Sequence, residues 1–130
     1  MNTYSKVLLR FSALFALVGA VLGSHMAGSG SYAFKSVHAH ILVVGWLTLF
    51  AWSVYYKLFR PTNKTVAKLH VWTAIIGSIG LTVGMWLYYV RPFDLGDAIT
   101  TIFFIVGGSI LLISFILFLL LTFMKTEDET

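Results

Sequence analysis

Four apolar blocks, each at or beyond the ~20 residues that a helix needs to cross a bilayer, set the limits on this chain. They cover about residues 7–27, 36–59, 66–90 and 98–124, with short polar turns between them. Within each block the apolar residues run on, without the polar stripe of a helix that has one wet face. In hydrocarbon only helices and closed barrels satisfy every backbone N–H and C=O, and blocks of this length read as helices. Charge is correspondingly sparse: 11% of the 130 residues, against about 25% in a soluble domain. The expected fold is all-α, an integral membrane four-helix bundle forming one domain over residues 1–130.

The net charge of +4 reads as topology and not as a partner's footprint. Lys6, Arg10, Lys57, Arg60, Lys64, Lys68 and Lys125 fall at one end of the blocks, and only Lys35 and Arg91 at the other. Basic residues collect on the cytoplasmic side, which puts both termini there. No soluble surface remains for a basic groove, so nucleic-acid binding is excluded. The chain has no cysteine, which excludes disulfides, thiolate metal sites and c-type heme attachment. The first block resembles a signal peptide but lacks an Ala-x-Ala cleavage site, and it is expected to stay as an anchor.

Chemistry concentrates at the start of the second block, in Val37-His38-Ala39-His40-Ile41. An imidazole in or beside hydrocarbon is costly unless a hydrogen bond or a metal satisfies it. Residues two apart on a helix point about 200° from each other, so His38 and His40 cannot share one ion and must face different neighbours. Counting out from the flexible Gly28-to-Tyr32 loop places His25 at nearly the depth of His38, so three histidines gather at one end of a hairpin. His70 starts the third block at the opposite end, too far to join them. Its expected role is a snorkelling interfacial residue or a separate inner site. Met26 is a soft donor beside His25. Trp46 reads as packing against a neighbouring helix, and Arg91 as an interface anchor that also lies on the side of a heme propionate.

Imidazoles without nearby carboxylate or thiolate suit iron or copper better than structural zinc or a hard cation. Diverging rings on an apolar helix favour heme. Gly19 with Gly23, and Gly77 with Gly80 and Gly84, thin two helix faces for close approach. Arg60-Pro61-Thr62-Asn63 reads as a turn with Arg60 pushed towards extended backbone by Pro61. The fourth block has only Gly107, Gly108 and Ser114 to mark it, and the tail from Lys125 to Thr130 reads as frayed.

The run His38-Ala39-His40-Ile41-Leu42-Val43-Val44-Gly45-Trp46-Leu47 resembles the heme-ligand helix of the catalytic subunit (subunit I) of the heme–copper oxidase superfamily. The likeness extends to Gly23-Ser24-His25-Met26-Ala27-Gly28, to Tyr56-Lys57-Leu58-Phe59-Arg60-Pro61 and to Lys68-Leu69-His70-Val71-Trp72, most closely in small four-span bacterial proteins. It implies one four-helix arc of a twelve-span fold, heme b on His38 and His40, and a bacterial inner-membrane location. It also implies that three copies, as a homotrimer, could rebuild the full ring with hemes between subunits. The further copper ligands, the cross-linked tyrosine motif and the proton channel of the family are missing here. Dioxygen reduction is therefore not expected of one chain, and the expected role is electron transport with an unidentified redox partner, or binding of a diatomic gas. Two alternatives stand beside it: a copper protein using His25, His38 and His40 as metal ligands, and a cofactor-free accessory subunit or transporter. No acidic residue lies in a span, which weighs against a proton-coupled exporter.

Overall fold

The computed structural model describes residues 2–127 and is helical throughout. Four helices are long and apolar enough to cross a membrane: α1 (Thr3–Ser29), α2 (Lys35–Leu58), α3 (Lys64–Val90) and α4 (Asp97–Phe123). This is a multi-pass membrane protein. Its exposed surface is rich in Leu, Ile, Val and Phe, as a lipid-facing surface must be.

Helices α1 and α3 start and stop for local reasons. Asn2 caps α1 by accepting from Ser5 N at 2.8 Å, and its amide donates to Tyr56 O at 2.7 Å, tying the start of α1 to the end of α2. Gly30, at φ +68°, ends α1 by donating its N–H to Met26 O. A left-handed residue is the usual helix stop, and glycine adopts it without steric cost. The helix therefore runs through Gly28 and Ser29, which the sequence assigned to the loop. Asn63 caps α3 through Val66 N at 3.2 Å.

Arg60 departs from its expected extended backbone and takes φ +47°. Proline at the next position disfavours right-handed helix, and here the left-handed region is the solution that turns the chain sharply. The Arg60 carbonyl then accepts from Glu127 N at 3.0 Å. Arg91, also followed by proline, ends α3 in the same way at φ +52°. The tail is likewise not frayed where it is described. Thr62 N and Thr62 Oγ1 both donate to Lys125 O, and Pro61 and Thr126 form an antiparallel bridge. Residues 128–130 lie outside the described part.

The helices associate as two hairpins. Between α1 and α2, Ser5 Oγ donates to Ser53 O at 3.0 Å and Ser53 Oγ to Ser5 O at 2.7 Å. This reciprocal bond gives two polar side chains a partner away from water. Further along, Gly19 faces Leu42 and Ile41 of α2, and Gly45 faces the Phe15 ring. Between α3 and α4 the backbones come closest, with Gly80 crossing Gly107 and Gly77 lying on Leu111. The glycine faces thus serve contacts within the chain. The fourth span, expected to be featureless, carries the Gly107 half of the tightest crossing.

The hairpins join around Trp52, Tyr55, Phe118 and Leu121 at the end that carries both termini. Towards the other end they part, leaving an apolar crevice of about 460 Å³ between Phe11 and Phe15 of α1, Val37 and Ile41 of α2, and Ile79 and Trp86 of α3. Two π-helical segments interrupt the spans, Ile41–Thr48 in α2 and Trp86–Val90 in α3. Thr48 Oγ1 donates to Val43 O, five residues back, within the wider coil. Nothing in the apolar pattern announces such a segment. Trp46 sits in it and is 41% exposed, while the adjacent Gly45 makes the close approach to α1 at Phe15.

Candidate functional site

The histidines of α2 lie on its first, α-helical turns, and they diverge as the helical spacing requires. His38 turns towards α1, where its Cε1 would lie 3.0 Å from a Cβ placed on Gly23. A side chain at position 23 would displace the ring, so Gly23 is part of the histidine's seat. Nδ1 of His38 is buried and has no hydrogen-bond partner among the described residues.

His40 is exposed on the outer surface of α2. Its Nδ1 lies 3.0 Å from Ser36 O, one helical turn back. A carbonyl oxygen only accepts, so Nδ1 is the donor, and the lone pair of the neutral ring is then on Nε2. A metal-ligating histidine has this arrangement: the far nitrogen is anchored to a carbonyl and the near one is free to bind. A π segment begins at the next residue, and such segments are rare and frequent at functional sites.

His25 is exposed at the end of α1, with its ring against the edge of Phe34 at 5.9 Å between centroids. The chain brings His25, His38 and Phe34 to one end of the α1–α2 hairpin. Among the described residues, no group of three or more His, Cys, Asp or Glu side chains is placed to hold a metal ion. Arg91 donates to Asp97 Oδ1 at 2.7 Å in an exposed ion pair and so already has an anionic partner. Met26 is buried in the α1 surface.

His70 corrects the expectation of a snorkelling residue, for it is wholly buried. Its Nδ1 lies 2.7 Å from Tyr56 Oη, which also reaches Ala67 O at 3.2 Å. Tyr56 stacks on the ring, and Trp52 meets it edge-on at 4.5 Å between centroids. Nε2 has no hydrogen-bond partner among the described residues. From His40 to Tyr56 the helix rises roughly 24 Å at 1.5 Å per residue, so this is a second, separate centre. The tyrosine partner stands fourteen positions before the histidine, and only the antiparallel return of α3 along α2 makes them neighbours.

The Tyr56–His70 bond lends itself to a two-step test. Tyr56→Phe strips the buried imidazole of its partner and is expected to cost about 1–3 kcal/mol of stability. Adding His70→Leu removes the orphaned ring as well, and most of the loss should return. Thermal unfolding in detergent reads both; two additive losses would show that the bond does not couple the side chains.

Comparison with protein-family models, with curated proteins and with solved structures finds no match to this chain.

Proposed function

We propose that the protein is a b-type heme protein of the inner membrane, with His40 as an axial ligand presented on the outside of one bundle to a heme shared with a neighbouring copy. The observation that carries this reading is the Nδ1 bond from His40 to Ser36 O, which puts the lone pair of the neutral ring on Nε2, on an exposed face. The residues fit the group at that surface. They fit it less well in the apolar crevice, because no histidine is among its lining residues. Exposed Trp46 and Val43 supply apolar surface on the same helix beyond His40.

His38 supplies a second imidazole, its buried Nδ1 still without a partner. The likeness of residues 38–47 to the heme-ligand helix of heme–copper oxidases adds support. Three four-span chains would assemble the twelve helices of that arrangement, with both termini of each chain in the cytoplasm. When bound, the group supplies one-electron exchange, or an open face for a diatomic gas if only one ring ligates it. The chain's own residues orient the imidazole and fix its tautomer through the Ser36 carbonyl.

Absorption spectra of the purified protein, oxidised and then reduced, test the proposal. A Soret band with reduced-state bands of a low-spin b-type heme is expected, and added carbon monoxide reports an open coordination position. A colourless preparation from cells with ample porphyrin overturns it. The mass of the detergent-solubilised complex tests the shared site: three copies of the 14.5 kDa chain are expected, and a heme-loaded monomer ends that part.

A further inference from the structure

The end of the bundle that carries both termini holds a cleft of about 630 Å³, remote from the histidines of α2. Its polar wall includes Asn2, Arg60 and Lys64, and its apolar wall includes Tyr4, Pro61 and Ala67. Helices α1 and α3 both begin at this cleft, so their positive dipole ends add to the two cationic side chains. The left-handed backbone at Arg60 sets that residue at the cleft, and its guanidinium makes no hydrogen bond or ion pair among the described residues. Lys64 Nζ donates to Pro61 O at 3.3 Å and to Glu127 Oε1 at 3.5 Å. The Lys64 and Glu127 side chains are 71% and 47% exposed, so their attraction is weak and a stronger anion would displace the carboxylate.

We propose that this cleft binds the phosphate of an anionic lipid headgroup, with Arg60 and Lys64 as its cationic partners and Glu127 as a competitor from the tail. The cleft stands at the ends of four apolar spans, at the level of the headgroups, and it offers cations and apolar surface together. An amphiphile with a phosphate matches both. Two juxtaposed basic residues favour anionic lipid by about fivefold each.

Native mass spectrometry of the full chain, released from mixed micelles of phosphatidylglycerol and phosphatidylcholine with matched acyl chains, tests the site. Retained phosphatidylglycerol should exceed phosphatidylcholine several-fold. Arg60→Gln with Lys64→Gln should lower its retention about twentyfold, and Glu127→Gln should raise it. The pair Lys57→Gln and Lys68→Gln removes equal charge outside the cleft and should change little. Should the Arg60/Lys64 variant fail to fold, the Glu127→Gln arm decides: unchanged retention there overturns the proposal. Equal retention of the two lipids also overturns it, as does an equal loss in the Lys57/Lys68 control. Inorganic phosphate that displaces phosphatidylglycerol at millimolar concentration would assign the cleft to a soluble anion and overturn the lipid assignment.

Discussion

In heme-replete cells, His40→Ala protein is expected to emerge without the Soret band of its parent, and added imidazole is expected to restore it. The physical basis is the Ser36 carbonyl, which accepts the Nδ1 proton and leaves Nε2 to bind. Alanine would remove the proposed ligand but not the helix, because His40 is exposed and lies outside the buried core. Exogenous imidazole then reaches the same place from outside. His38→Ala should shift the spectrum, and Gly23→Ala should do so more weakly by pressing on the His38 ring. A band unchanged in both the His40 and His38 variants would show that neither ring is a ligand. A band lost in His40→Ala that imidazole cannot restore would point to a folding defect, which melting temperature reports separately.

The second large effect concerns the crossing of α3 and α4. A Cβ at Gly107 would collide with the backbone carbonyl of Gly80 and with Leu81 N, and backbone atoms cannot rotate out of the way as a side chain can. Gly107→Ala is therefore expected to cost roughly 1–3 kcal/mol through enforced separation of the helices. Gly108→Ala is the matched control. Its Cβ would meet only Leu81 Cδ1, at 3.5 Å, an ordinary contact. Alanine is favoured over glycine within a helix by up to about 1 kcal/mol, so this variant should be neutral or slightly more stable. Thermal unfolding of the two proteins in the same detergent distinguishes them, and equal melting temperatures would refute the crossing.

The four helices could be read in the sequence because each apolar block reaches membrane length, and their order followed from the short loops. The divergence of His38 and His40 was also legible, since it depends on helical spacing alone. Burial of His70 was not. It depends on which residue of α2 the returning α3 meets after the Arg60–Asn63 turn, and the answer is Tyr56. The role of Gly107 was hidden for a similar reason: a glycine reveals a crossing only when the opposite backbone is known. Arg60 and Arg91 in left-handed conformation run against the usual preference for glycine there, so residue type gave no warning. The tail's docking arises from main-chain bonds to residues 60–62, which no side-chain pattern encodes.

The π segment of α2 separates two halves with different tasks. A coil closed by i to i+5 bonds takes in more residues per turn than its α-helical neighbours. The imidazole-bearing half is thereby swivelled about the helix axis relative to the half that carries Trp52 and Tyr56. The direction in which His40 presents its nitrogen is thus set in part by eight residues of wider coil, whose Ile41 and Gly45 are fixed against α1.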